Sequence, residues 1–454
     1  MSLTKTPLSN RLHIGIFGKR NSGKSSLINA ITNQEVAVVS DVPGTTTDPV
    51  YKSMEIHGIG PCVFIDTAGF DDIGDLGSMR VDKTMKVIEK TDFAIVVFSA
   101  DSYTNNNTYN TGAATNNAKR IKSFDEIPYN QADFNIDIEE EIKWIDLLRE
   151  YKTPIIAVIN KVDIFNDEGK NTENVVLGQN GVIGQNKALE NLCKVIEEKT
   201  GLTPVLVSAK YKKGIERIRE EIIRLLPEDY DIKSITGNLA KEDDVVLLVM
   251  PQDIQAPKGR LILPQVQTIR DLLDKKCVVV CVTTYKLDNA LKSLAKPPNL
   301  IITDSQVFKT VYEKKPKESK LTSFSVLFAN YKGDLKYFVE SAYAIEKLNE
   351  NSKVLIAEAC THAPLEEDIG RVKIPRMLRK KVSENLKIEV LSGNDFPDDL
   401  RSYDLIIHCG SCMFNRKYVL SRVRKARTQG VPMTNYGVAI AYLSGILDKI
   451  DLGI

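Results

Sequence analysis

Three units, each built on a mainly parallel β-sheet with helices between its strands, are predicted for this chain of 454 residues. Three observations predict that α/β class. Apolar runs of strand length alternate with amphipathic helical stretches along most of the chain. A glycine-rich signature stands between the first such strand and the first helix. The alternation then restarts twice, after Pro227 and near Lys353, and the length suffices for roughly three domains of ordinary size. The expected boundaries are 1–229, 230–352 and 353–454.

The first strand, Leu12 to Phe17, leads into Gly18-Lys19-Arg20-Asn21-Ser22-Gly23-Lys24-Ser25, and a helix follows from Ser25 to Ile31. That is the full P-loop spacing. Glycines let the backbone wrap so that Gly18, Asn21, Ser22, Gly23 and Ser26 surround phosphate at a helix N-terminus; Lys24 reaches the outer phosphates and Ser25 ligates magnesium. After the strand Pro61 to Ile65 comes Asp66-Thr67-Ala68-Gly69, where Asp66 serves magnesium and the Gly69 N–H meets the terminal phosphate. Pro43-Gly44-Thr45-Thr46-Thr47-Asp48 is polar and turn-prone, as a switch loop ordering on magnesium must be.

Base recognition is expected from two later segments. Asn160-Lys161-Val162-Asp163 follows the buried strand Ile155 to Ile159, and the Asp163 carboxylate can accept from both N–H edges of guanine. A wrong base would leave that carboxylate unpaired. Ser208-Ala209-Lys210, after the strand Pro204 to Val207, completes the pocket with a backbone donor to the guanine oxygen. The first unit is therefore predicted to be a P-loop GTPase domain binding GTP and Mg2+, followed by two further α/β domains with mainly parallel sheets. Within it, Asp101 to Asn135 is rich in Asn and Thr without helical or strand period and reads as a flexible insertion, about 101–135. Glu139 to Glu150 resumes a helix, and Gly214 to Leu226 closes the domain as another.

The middle unit is expected to hold strands at Val245 to Met250, Cys277 to Thr283 and Leu300 to Thr303, with helices at Leu263 to Leu273 and Asp288 to Leu294. It carries no nucleotide motif. Cys277 and Cys281 share one face of a strand and read as packing residues, as do Cys62 and Cys193, while His13 and His57 stand alone. The last unit is expected to hold strands at Val354 to Ala359, Lys387 to Leu391 and Asp404 to Ile407, with helices at Pro375 to Leu386 and Lys417 to Thr428. Cys360-Thr361-His362 then lies just past one strand, and His408-Cys409-Gly410-Ser411-Cys412 just past another. In an open parallel sheet those strand ends converge on the functional crevice. Three of the seven cysteines and two of the four histidines sit in these two groups, and thiolate with imidazole suits an iron–sulfur cluster, zinc or copper(I). Three converging thiolates repel one another, which a bound cation relieves.

Composition narrows the function class. A formal charge of +1 gives no global attraction to nucleic acid or to an anionic membrane. No apolar run has membrane-spanning length, and the first strand starts too near Met1 to leave room for a targeting peptide. Seven cysteines, odd in number and mostly beside apolar strands, argue for a reducing, cytoplasmic setting.

The first unit resembles the translation-factor-like GTPases, in the branch with the tRNA-modification and ribosome-assembly enzymes. That resemblance implies a potassium ion on Asn21, magnesium on Thr46 with Thr45 and Thr47 in reserve, and slow turnover, because Phe70 stands where signalling GTPases place a water-orienting glutamine. Lys24, Thr46 and Gly69 are the expected catalytic positions. The GTPase motifs, a motif-free middle and Cys-x-His before His-Cys-x-x-Cys together resemble the HydF family, the maturation GTPases of di-iron (FeFe) hydrogenases. Leu321 to Ala329 and Tyr331-Lys332-Gly333-Asp334 also look like that family. The resemblance implies a 4Fe-4S cluster on Cys360, Cys409 and Cys412, with His362 and His408 as ligands or supporting groups, and dimerisation through the middle unit as a homodimer or higher oligomer. It also implies a scaffold that delivers a transient di-iron precursor to apo-FeFe-hydrogenase alongside radical-SAM maturases. Two other readings stay open: an RNA-linked GTPase of ribosome assembly or tRNA modification, which lacks a basic aromatic patch here, and a GTPase with a structural zinc site on the same cysteines. The basic run Arg371 to Lys381 reads as a solvated helix face or a dock for an acidic partner.

Overall fold

The computed structural model describes residues 7–32, 50–56, 58–67, 84–101, 136–165, 187–226, 234–251, 261–358, 369–393, 395–411 and 414–453. Two compact units emerge: Arg11–Pro227, and Glu228–Ile454 together with the short stretch Pro7–Asn10.

The first unit is a six-stranded sheet of β1 (Leu12–Phe17), β2 (Val50–Ile56), β3 (Gly60–Asp66), β4 (Phe93–Ser99), β5 (Ile155–Asn160) and β6 (Val205–Leu206) in the order β2-β3-β1-β4-β5-β6. All neighbours run parallel except β2, which is antiparallel to β3. Every residue of β1 and β5 is buried, because the sheet carries apolar clusters on both faces. On one face Trp144, Ile145 and Leu148 of the helix Glu139–Glu150 pack with Val63 and Val96; on the other, Leu27 and Ile31 of the helix Lys24–Thr32 pack with Ile14 and Phe64. Each such fully buried aliphatic side chain contributes about 1.5–3 kcal/mol over leaving it in water. The edge strand β2 has an alternating polar pattern and β4 was not anticipated from the sequence at all; the expected insertion lies almost wholly outside the described residues.

The second unit holds two four-stranded parallel sheets. The first comprises β7 (Val245–Val249), β8 (Val278–Val282), β9 (Leu300–Thr303) and β10 (Lys320–Ser323) in the order β10-β9-β7-β8. The second comprises β11 (Lys353–Glu358), β12 (Lys387–Ser392), β13 (Leu405–His408) and β14 (Met433–Asn435) in the order β12-β11-β13-β14. One apolar cluster joins them, running from Leu247, Ile301 and Leu321 to Leu355, Ile406 and Met433. The helices Phe324–Lys332 and Tyr436–Leu443 lie within this packing, and a Cβ on Gly437 would come within 2.5 Å of Ser325, so only glycine permits their approach. Asp451 ties the far end of the chain to β10: its carboxylate accepts from the Leu321 N–H at 2.8 Å and its own N–H donates to the Leu321 carbonyl at 2.8 Å.

Both helices are apolar nearly all round, so they show no amphipathic stripe, and the sequence reading passed over them. Their caps were legible: Ser323 accepts from the Val326 N–H and Asn435 from the Val438 N–H. The expected helix to Leu386 ends at Lys381, where Ser383 starts a turn that receives the Leu386 and Asn385 amides. Cys281 corrects another expectation. It is exposed, whereas Cys277 is buried, because β8 is an edge strand covered incompletely on both faces. Among the described residues no helix is long and apolar enough to cross a membrane.

Candidate functional site

In the first unit the P-loop sits at the C-terminal end of β1, between β3 and β4. Gly23 has φ +86°, and a Cβ there would lie 2.3 Å from Asn160 Nδ2, so the loop and the β5 end touch through a position only glycine can fill. Lys24 is buried and its ammonium donates to the Gly18 and Lys19 carbonyls, each at 2.8 Å, which draws it across the loop at the helix N-terminus. The next residue, Ser25, donates to the Asp66 carboxylate at 2.5 Å. Burial raises the Asp66 carboxyl above its ordinary range, opposed by the Ser25 hydrogen bond and then by the Lys24 charge. A buried carboxylate oxygen beside a hydroxyl and an ammonium is an oxygen donor set suited to Mg2+ and phosphate. Ser26 continues the first helical turn, half-buried.

The base side is equally built. Asn160 is almost fully buried and joins three loops: its amide donates to the Ser22 carbonyl at 3.0 Å and its oxygen accepts the Ala209 N–H at 3.1 Å. The Ala209 N–H is held by Asn160 in this arrangement. Ser208 donates to Asp163 at 2.6 Å and fixes the orientation of the carboxylate. Lys161, at φ +63°, reaches back to the Asn21 carbonyl at 2.5 Å and to Asp101 at 2.6 Å. Lys210 is exposed, with its ammonium 5.1 Å from the Tyr211 ring centre. Asn21 itself has φ +59°. Thr46 and Gly69, with Thr45, Thr47 and Phe70, lie outside the described residues.

Two contributors went unnoticed in the sequence. Asp101 pairs with Lys161, and Lys19 of the P-loop faces Asp137 and the buried Glu141, each at 3.5 Å. Burial, the dominant cause, raises the Glu141 carboxyl despite the Lys19 charge. A Glu at a buried position of an otherwise apolar helix face was the available signal.

In the second unit the register Ala357↔His408 sets the C-terminal ends of β11 and β13 side by side, and the Cys409 N–H donates to the Ala357 carbonyl at 2.9 Å. The C-terminal ends of these two central strands, with Cys409 directly after one of them, therefore lie side by side. Cys360, His362 and Cys412 lie outside the described residues, and among the described residues no group of three or more His, Cys, Asp or Glu is placed to hold a metal. His408 is the last residue of β13 and fully buried. Its Nε2 accepts from Arg422 at 2.8 Å, which leaves Nδ1 protonated to donate to the Cys409 carbonyl at 2.9 Å, with the Ser411 hydroxyl at 3.0 Å. Burial and then the Arg422 charge push the imidazole down to about 3, so it is neutral. Both ring nitrogens are occupied within the protein, an arrangement that holds the loop rather than offering a lone pair to a metal.

Comparison with known proteins places names on these parts. Residues 336–450 match the family model described as the hydrogen maturase F tetramerization domain, residues 235–333 match the hydrogen maturase F dimerization domain, and residues 13–161 match the 50S ribosome-binding GTPase model. A GTPase Der of Wolinella succinogenes is 31% identical over 217 residues, 47% of this chain and 36% of its own length. A tRNA modification GTPase MnmE of Flavobacterium johnsoniae is 28% identical over 218 residues, 48% of this chain and 36% of its own length. The chain thus spans about a third of the length of these curated relatives. Among solved structures, a probable GTP-binding protein engB matches at 21% identity and a TM-score of 0.30, over 47% of this chain and 97% of that one.

Proposed function

The chain belongs to the hydrogen maturase F family, and we propose that it is a GTP-hydrolysing scaffold that holds a 4Fe-4S cluster and delivers a di-iron precursor to apo-FeFe-hydrogenase. The single observation that carries this reading is the union, in one chain, of a GTPase domain whose P-loop Ser25 meets Asp66 with the two hydrogen maturase domains, the last of which sets Cys409 at the C-terminal end of a parallel strand. The RNA-linked reading draws on the similarity to Der and MnmE, which covers 47% and 48% of the chain, whereas the hydrogen maturase models match residues 235–333 and 336–450.

In the nucleotide site Lys24 neutralises charge developing on the transferred phosphoryl group, Ser25 and Asp66 hold Mg2+, and Asp163 reads guanine; Thr46 and Gly69 complete the switch side. Asp163→Asn is expected to weaken GTP and raise relative use of xanthosine triphosphate, since Asn presents a donor where guanine also donates. Competition binding with the two nucleotides checks it, and unchanged discrimination counts against the assignment. Asn21 supports a potassium ion beside the phosphates, so slow turnover should be faster in potassium than in sodium at matched ionic strength. Identical rates in the two salts would remove the potassium assignment.

In the C-terminal domain Cys360, Cys409 and Cys412 would hold the cluster, and the buried cation Arg422 against the loop suits an anionic, thiolate-bound group. When bound through three thiolates, a 4Fe-4S cluster supplies one exchangeable iron position for the precursor. Radical-SAM maturases are the proposed source of that precursor, in a cytoplasmic, oxygen-poor setting. Association of chains is supported by the dimerization and tetramerization domains. The surface proposed for it is the β8 edge, where Val278 is 55% exposed on one face and Cys281 is exposed on the other. Val278→Asp should shift the molar mass measured by light scattering toward the monomer, and an unchanged mass would place the interface elsewhere.

A further inference from the structure

Arg422 lies in the helix Arg416–Thr428, is 3% exposed, and has no carboxylate within ion-pair distance among the described residues. Its guanidinium donates to His408 Nε2 at 2.8 Å, to the Gly393 carbonyl at 2.7 Å and to the Tyr418 hydroxyl at 3.0 Å, while its buried Nε has no partner among the described residues. Three rings enclose it, with its guanidinium carbon 4.7 Å from the centre of Phe396, 5.1 Å from Phe414 and 4.6 Å from Tyr418. A buried cation surrounded by neutral groups is costly unless an anion is nearby. A second buried cation lies against the same loop. Lys332, from the segment Tyr331 to Asp334 that no nucleotide chemistry uses, donates to the Ser411 carbonyl at 3.1 Å and the Phe414 carbonyl at 2.8 Å. Between them, Ser411 adopts φ +51° and its N–H points to Cys409 Sγ at 3.4 Å. Two positive charges thus converge, through carbonyls and one neutral imidazole, on the loop that carries Cys409.

We propose that Arg422 is a positioning residue for an anionic thiolate-bound iron–sulfur cluster: through His408 it fixes the Cys409 loop, and its buried charge, with that of Lys332, balances the negative charge of the cluster. The inference rests on reading the C-terminal domain as a cluster site. Nothing is transferred or oxidised; the effect is electrostatic and geometric. A positive charge held near a cluster favours its reduced form, so removing the charge lowers the reduction potential and weakens retention.

The test uses the full-length protein reconstituted anaerobically with ferrous iron and sulfide, unaltered and as Arg422→Gln and Arg422→Lys, with thermal melting of the iron-free proteins as the fold control. Arg422→Gln is expected to release iron to a chelator about tenfold faster and to show a more negative midpoint potential by EPR-monitored titration. Arg422→Lys, which keeps the charge, should stay near the unaltered potential even where release quickens. Equal release and equal potential in all three proteins would overturn the proposal. A potential as low in Arg422→Lys as in Arg422→Gln would overturn it too, because the charge would then play no part. If Arg422→Gln does not fold, Arg422→Met takes its place as the uncharged variant, with the same two readouts and the same overturning outcomes. Failure of the unaltered protein to take up iron and sulfide would instead remove the cluster reading itself, and this inference with it.

Discussion

Lys24→Ala is expected to abolish GTP hydrolysis, lowering the rate by on the order of 10³-fold or more, because the variant removes the buried cation drawn across the phosphate loop at the helix N-terminus. That loss corresponds to about 4 kcal/mol of transition-state stabilisation. The geometry makes the effect specific. The ammonium crosses the loop to the Gly18 and Lys19 carbonyls, next to the Ser25–Asp66 pair, so no neighbouring side chain substitutes for it. Lys19 is held by Asp137, just before the helix Glu139–Glu150, and by Glu141 on that helix, and Lys161 by Asn21 and Asp101. Phosphate release measured under saturating GTP checks the prediction, and retention of more than a tenth of the activity would remove Lys24 from its role. Iron uptake should be unaffected, since the cysteines belong to the other compact unit.

The second large effect concerns iron. Cys409→Ala combined with Cys412→Ala should abolish retention of a reconstituted cluster while leaving GTP turnover close to that of the unaltered protein. Replacing His408 should act differently from replacing a thiol. Its ring nitrogens serve Arg422 and the Cys409 carbonyl, so His408→Ala loosens the loop and strands a buried guanidinium, whereas Cys62 and Cys193 changes touch only packing. Burial pushes the Cys62 thiol up to about 12 and the Cys193 thiol to about 11, which keeps both protonated and poor as metal ligands. Iron content per chain separates these cases.

Much of the fold was legible because the strands that carry the motifs are buried on both faces and read as uninterrupted apolar runs. Leu12–Phe17 and Ile155–Asn160 stand where the phosphate and base motifs require them, and Leu300–Thr303 coincides with the expected strand. The helix Glu139–Glu150 was equally plain from its one-sided pattern. What escaped was structure whose burial comes from a distant partner. Phe324–Lys332 and Tyr436–Leu443 lie inside a core made jointly by two sheets, and no local period announces such a helix. The nucleotide residues could be named from spacing because a P-loop is local in sequence. Arg422, Lys332 and Glu141 could not, since each acquires its meaning from a loop or helix more than seventy residues away or from burial that composition does not reveal, Lys332 and Ser411 being 79 residues apart and Lys19 and Asp137 118. Cys281 was misjudged for a related reason: alternation along a strand does not say whether that strand lies at the centre or the edge of its sheet.

The central claim, that a guanine-nucleotide hydrolase and a cluster-bearing carrier are one molecule serving hydrogenase maturation, is tested most directly by hydrogen evolution from apo-FeFe-hydrogenase co-expressed anaerobically with radical-SAM maturases and this chain. With the unaltered protein the hydrogenase should become active, and with the Cys409→Ala, Cys412→Ala variant it should stay inactive although the variant still hydrolyses GTP. Equal hydrogen evolution with the two proteins, or none with the unaltered one, would contradict the account.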